Sequence, residues 1–156
     1  MPGVFTALRQ LSRSKYVLVL VTNQSVVGRG IISLDEAMRI NQQVIKVIAA
    51  RGGRIDASYL CPHRPEEGCE CRKPAPGMML RAADELNLDL SSSYIIGDAV
   101  SDMQAAQAVE SKGIMLLTGR GAEQVSLLEQ LGMKDCLVLP DLDASVNYIL
   151  SQREPP

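Results

Sequence analysis

Apolar positions along this chain alternate between two periods. Val4, Ala7, Leu8 and Leu11 fall on one helical face, which predicts a first helix from about Pro2 to Leu11, with Pro2 near its first position. Tyr16–Val21 is the longest unbroken apolar run and predicts a buried strand that ends in Thr22-Asn23-Gln24-Ser25. A glycine-containing loop from Val26 to Ile31 follows. Ser33-Leu34-Asp35-Glu36 reads as a capping box opening a long helix to about Arg51, where Gly52-Gly53 stops it. Further on, the pattern predicts strands at Ile55–Leu60, Tyr94–Ile96, Ile114–Leu117 and Cys136–Leu139. It predicts helices at Gly77–Leu86, after a Ser101-Asp102-Met103-Gln104 cap, at Glu123–Leu131, and from an Asp141 cap to about Leu150.

Short apolar strands separated by helices imply crossover connections and a mainly parallel sheet covered on both faces. The expectation is an α/β, three-layer, Rossmann-like arrangement in one domain over residues 1–151, with residues 152–156 as a tail. Ligands of such sheets sit at the carboxyl ends of the strands, so the polar groups there carry the functional question.

Composition narrows the classes. A net charge of −2 gives no global pull toward nucleic acid, and an aromatic content of 3% with no Trp offers no base-stacking surface. No run approaches the ~18 apolar residues of a membrane span. The first residues lack the basic and apolar regions of a secretory signal, so a cytoplasmic protein is expected. No nucleic-acid or membrane partner is expected, and the chain is expected to be a monomer.

The four cysteines change the picture more. Cys61-x-His63-x5-Cys69-x-Cys71 brings three thiols and the single histidine into eleven residues, with Pro62, Pro65 and Gly68 letting the loop 61–71 fold back. Three sulfurs and one imidazole suit tetrahedral Zn²⁺, and four protein ligands leave no open position, so the metal reads as structural. Cys136 sits in a strand and reads as core.

Three weaker signals lie at strand ends. Asp98 and Asp102, four apart at a strand-to-helix turn, suit a hard cation such as Mg²⁺, although Asp at a helix start is as often a cap. Thr22, Asn23 and Gln24 can receive a phosphate, or form only a polar turn. Arg72 and Lys73, ahead of Pro74 and Pro76, can neutralise phosphoryl charge, or be solvated surface.

In this order the motifs form a set. A Thr after one apolar strand, a Lys before a helix and Gly97-Asp98-x3-Asp102 after another strand resemble the haloacid-dehalogenase (HAD) superfamily of phosphatases. The zinc loop and the strings VTNQS, CRKPAPGM and GDAVSDMQAA are similar to the D-glycero-D-manno-heptose 1,7-bisphosphate phosphatases and the related histidinol-phosphate phosphatases. The resemblance covers nearly the whole chain.

It implies a HAD-like fold and a sugar-phosphate substrate, with histidinol phosphate or another small phosphomonoester as the alternative. It also implies that Thr22 and Asn23 bind the transferred phosphoryl group, that Lys73 balances its charge, and that Arg72 contacts substrate. Asp98 would ligate a catalytic Mg²⁺ with Asp102 in support, beside the structural Zn²⁺. The family reaction passes through an aspartyl-phosphate.

Two departures stand out. The family carries its nucleophile and acid/base in an Asp-x-Asp strand ahead of the first helix, whereas the first acidic residue here is Asp35. The expectation is therefore a sheet lacking its first central strand, between the Thr22 and Asp98 strands, and a chain inactive as it stands. Met1 is expected to be a late start, or the chain part of a longer protein. A zinc-stabilised phosphate-binding pseudoenzyme is the non-catalytic alternative. The second departure is Ala99, where heptose phosphatases commonly have Lys. Arg29, in the 27–30 loop, is a further candidate for a substrate phosphate.

Overall fold

The computed structural model describes residues 3–152. It contains α1 (Val4–Ser12), β1 (Val19–Asn23), α2 (Ser25–Gly28), α3 (Leu34–Ala50), β2 (Ala57–Cys61), a 3₁₀ turn at Pro65–Glu67 and α4 (Gly77–Leu86). There follow β3 (Tyr94–Gly97), α5 (Val100–Ala108), β4 (Lys112–Leu116), α6 (Gly121–Gln130), β5 (Leu137–Leu139) and α7 (Leu142–Ser151). The helix start expected at Pro2 and most of the tail expected at 152–156 lie outside the described residues.

Several boundaries differ from the expected ones by one to three residues, β2, β4, β5 and α6 among them, and at β1 and α5 side chains account for the shift. The first strand begins at Val19, not Tyr16, because Asp56 and Arg54 hold the approach to it. The Leu18 N–H donates to Asp56 Oδ2 at 2.7 Å, and Arg54 Nη2 donates to the Tyr16 carbonyl. The segment expected as a loop from Val26 instead contains the single turn α2, its Arg29 N–H donating to Ser25 O at 3.0 Å. Ser101 does not cap α5. The helix opens two residues earlier, with Ala99 at its N-cap and Asp102 reaching back to accept the Ala99 N–H at 3.2 Å. Ser33 and Asp141 do cap their helices, accepting the N–H groups of Glu36 and Ala144.

The strands form two parallel sheets, β1–β2 and β3–β4–β5. Val19 pairs with Ala57 and Asn23 with Cys61; Ile95 pairs with Gly113, and Ile114 with Leu137. Side chains alternate across β1. Val19 and Val21 pack into a core with Met78, Met79 and Ala82 of α4, while Leu20 and Thr22 face Ala37 and Asn41 of α3 across a groove of about 210 Å³. α5 and α6 pack on β4 around the buried Met103, Met115 and Leu128. α1 packs against α7 through Ala7, Leu11 and Val146. Helices thus cover the sheets on both faces, as expected.

The peptide groups show which edges stay unpaired. Leu18 and Gln24 turn theirs toward β2, with Asp56 N–H to Leu18 O at 2.8 Å and Gln24 N–H to Cys61 O at 2.7 Å. Alternation therefore places those of Val19, Val21 and Asn23 on the other edge. Likewise Lys112 N–H bonds to Ser93 O at 3.0 Å, which leaves Tyr94 and Ile96 on the edge away from β4. Among the described residues neither edge has a strand partner, as expected for a sheet lacking a central strand. No helix among them is long and apolar enough to cross a membrane.

Gly121 at the start of α6 shows how closely helix and sheet approach. A Cβ there would lie 1.6 Å from the Leu116 carbonyl oxygen, a backbone atom of β4 that cannot swing aside. Gly121→Ala is expected to lower stability by about 1–3 kcal/mol, seen as a lower urea midpoint. An unchanged midpoint would show that α6 can shift off β4 at no cost.

Candidate active site

β2 ends at Cys61, and the chain then folds back on itself through residue 71. The ligand atoms of Cys61, His63, Cys69 and Cys71 all lie within 4.8 Å of one another. The sulfurs of Cys61 and Cys71 are 3.1 Å apart, those of Cys69 and Cys71 3.4 Å, and those of Cys61 and Cys69 3.6 Å. His63 Nδ1 stands 3.2 Å from Cys71 Sγ and 3.6 Å from Cys61 Sγ. A metal with bonds of ~2.3 Å to sulfur sets tetrahedral edges of roughly 3.8 Å, so this cluster is only slightly contracted from the shape that such an ion imposes. All four cysteines are free thiols. The donor set and its spacing fit a closed, four-coordinate metal site.

The thiols differ in acidity. Burial pushes Cys71 up to about 12, helped by hydrogen bonds with Cys61 and Cys69, and burial also raises Cys61. Burial raises Cys69 too, but the hydrogen bonds it accepts from Cys71 and from the Arg72 N–H outweigh this and bring it down to about 7. Cys136 lies among the α5–α6 core side chains, and burial raises its thiol.

The loop is wired to everything around it. The Gln24 N–H donates to Cys61 O, and the Gly28 N–H to Pro62 O at 2.9 Å, so α2 and the end of β1 rest on it. Arg72 Nη1 donates to the His63 carbonyl at 3.1 Å. The Gly77 N–H donates to Glu70 O at 3.0 Å, and a Cβ on Gly77 would come within 2.4 Å of that oxygen. The start of α4 is thereby locked to the loop.

Lys73 leaves the loop by a cis peptide to Pro74 and turns back over β1. Its Nζ donates to the Val21 carbonyl at 2.9 Å and pairs with Asp102 Oδ1 at 2.7 Å. The pair is largely buried, with side-chain exposures of 14% and 8%. Asp102 is held in turn by the Ala99 N–H, and Gly97 is required beneath it, since a Cβ there would meet Asp102 Oδ2 at 2.2 Å. Asn23 joins the same group, its amide bonded to the Lys73 backbone in both directions. Thr22 Oγ1 accepts from Gln24 Nε2 at 3.2 Å, which leaves the hydroxyl proton available to a ligand.

Asp98 and Asp102 turn to different partners. Asp98 Oδ2 accepts the Arg120 N–H at 3.0 Å, whereas Asp102 belongs to Lys73. The 119–120 turn is a contributor that the sequence reading missed. Gly119 has φ +63 and lies so close that a Cβ would stand 2.2 Å from Asp98 Oδ2. Its one signal was the Thr-Gly-Arg-Gly string following the β4 strand. Ala99 is buried at the α5 cap, and Arg29 is exposed at the end of α2.

Comparison with known proteins identifies the family. The HAD-hydrolase-like family matches residues 70–144. The D-glycero-beta-D-manno-heptose-1,7-bisphosphate 7-phosphatase of Yersinia pestis is 41% identical over 126 residues, covering 76% of this chain and 67% of that protein. The protein of the same name from Pseudomonas aeruginosa is 32% identical over 149 residues, covering 96% and 82%. The crystal structure of the D,D-heptose 1.7-bisphosphate phosphatase of B. bronchiseptica, complexed with magnesium and phosphate, superposes with a TM-score of 0.89 at 33% identity, covering 98% of this chain and 84% of that one. With relatives of this similarity along nearly its whole length, the chain belongs to the HAD-like heptose bisphosphate phosphatase family.

Proposed function

We propose that this site takes a phosphate ester of a sugar bisphosphate of the heptose 1,7-bisphosphate kind, and that the reaction it serves is removal of one phosphate. The names of the relatives support the substrate class. The observation that carries the reading is the Lys73 ammonium, largely buried and fixed at two of its three N–H groups by Val21 O and Asp102. The third N–H remains for a phosphoryl oxygen. Thr22 adds a hydroxyl donor. Arg72, anchored to the His63 carbonyl through one nitrogen, keeps the rest of its guanidinium for substrate. Donors fixed before the ligand arrives cost no reorganisation when charge develops on the phosphoryl oxygens.

Cys61, His63, Cys69 and Cys71 would hold Zn²⁺, whose part is to cross-link the loop that carries Arg72 and Lys73. Asp98 would ligate Mg²⁺, which when bound neutralises charge on the phosphoryl group. Asp102 supports that site as the countercharge that places Lys73, since ligating the cation directly would cost it the ion pair.

An aspartyl-phosphate needs a carboxylate nucleophile, and no Asp or Glu precedes Asp35. Of the two carboxylates described at the site, Asp102 is paired with Lys73 and Asp98 would be taken up by the cation. On this reading these 156 residues by themselves hold no carboxylate placed to serve as the nucleophile.

Two measurements follow. The purified chain, given Mg²⁺ and heptose 1,7-bisphosphate, is expected to bind the sugar in calorimetry and release no phosphate above the uncatalysed rate. Steady release would overturn the nucleophile argument, and absence of binding would overturn the site. The chain is also expected to carry one zinc, by mass spectrometry of the metal. Cys69→Ala should lose it, and phosphate binding should weaken by about tenfold or more as Arg72 and Lys73 come loose. Metal loss with unchanged phosphate affinity would show that the loop is no brace.

A further inference from the structure

Asn23 occupies an unusual place for an amide. Val19 and Val21, the two preceding residues on its face of β1, pack into the α4 core, and Asn23 continues that row at the strand's end. A polar group there needs partners. It finds both on one residue fifty positions away. Asn23 Nδ2 donates to the Lys73 carbonyl at 3.0 Å, and the Lys73 N–H donates to Asn23 Oδ1 at 3.1 Å. The side-chain amide thus stands in for a peptide group and closes a reciprocal pair with the Lys73 backbone. The far end of the same lysine returns to β1, where Nζ meets Val21 O two residues before Asn23.

A lysine side chain has four rotatable bonds, and fixing it costs roughly 1.5–2 kcal/mol of rotamer freedom. Its ion pair with Asp102 therefore has to be made from a backbone that is already in place. β1 supplies both ends of that arrangement: Asn23 holds the main chain, and Val21 receives the ammonium.

We propose that the Asn23 side chain is a positioning residue for Lys73 and not a phosphate ligand. This rests on the reading of Lys73 as the phosphoryl-binding cation. The amide's oxygen and one of its N–H groups are spent on Lys73, which ties the side chain to that lysine's main chain. Lengthening, shortening or removing the amide frees the Lys73 main chain, and the ammonium then leaves Asp102 for part of the time.

The test is a double-mutant cycle on the zinc-loaded 156-residue chain, with inorganic phosphate as the probe. Asn23→Ala is expected to weaken phosphate binding about tenfold in the wild-type background and to change it by less than about twofold in a Lys73→Ala background. A direct phosphate ligand would cost affinity in both backgrounds, which would overturn the proposal. A purely structural role would lower the urea midpoint and leave the affinity of the folded protein unchanged, which would overturn it too. Should Asn23→Ala fail to fold, Asn23→Ser, which reaches Lys73 with neither bond, takes its place.

A second readout needs no phosphate. In ¹⁵N-lysine-labelled protein the Lys73 ammonium is expected to give a slowly exchanging NMR signal that is lost on Asn23→Ala while zinc content is kept. Persistence of that signal in the variant would overturn the clamp. Loss of the signal in a protein that binds no phosphate would sink the function of the site and leave the clamp standing.

Discussion

The Lys73 ammonium, held between the Val21 carbonyl and the Asp102 carboxylate, is the contact on which the rest of this molecule depends. It joins β1, of one parallel sheet, to α5, which packs on the other. Between those sheets the described residues provide no strand ladder. A largely buried ion pair adds little net stability, because desolvating two charges offsets most of their attraction. Removing either partner is a different matter, since it leaves the other charge buried and uncompensated. The pair therefore acts as a constraint on placement more than as a source of stability.

The constraint is built outward from the metal loop. The loop's carbonyl groups hold the end of β1, the turn α2, Arg72 and the start of α4, through Cys61, Pro62, His63 and Glu70 respectively. One segment of eleven residues, 61–71, thus positions the Thr22 end of β1, the Arg72-Lys73 pair and, through the Lys73–Asp102 pair, the Asp98 turn. The economy of the arrangement is that the backbone does the bracing, which leaves hydroxyl, ammonium and guanidinium groups free for ligand.

Much of this was legible in the sequence. The cluster of candidate metal ligands could be read because thiol and imidazole at short spacing have few other uses, and the loop brings all four side chains together. Helix α4 was read to the residue, since Gly77 and the apolar Met78, Met79 and Ala82 mark both its start and its buried face. The strand edges were less legible. Val19 starts β1 because Arg54 and Asp56, nearly forty residues on, hold the peptide groups before it, and no local pattern encodes that contact. The Gly119–Arg120 turn beside Asp98 and the Asn23–Lys73 pair escaped for the same reason. Each is a long-range contact between a backbone group and a short side chain, and such contacts leave no periodicity.

The chemistry divides along a similar line. The residues proposed to bind and orient a phosphate ester are joined by hydrogen bonds, whereas a nucleophile is a single residue that no amount of scaffold replaces. The most direct measurement is a crystal structure of the 156-residue chain grown with zinc, magnesium and phosphate. Phosphate is expected within hydrogen-bonding distance of Lys73 Nζ and Thr22 Oγ1, with Lys73 still paired to Asp102 and one metal among Cys61, His63, Cys69 and Cys71. Phosphate bound elsewhere, or a Lys73 side chain turned away from Asp102 while phosphate occupies the site, would contradict this placement.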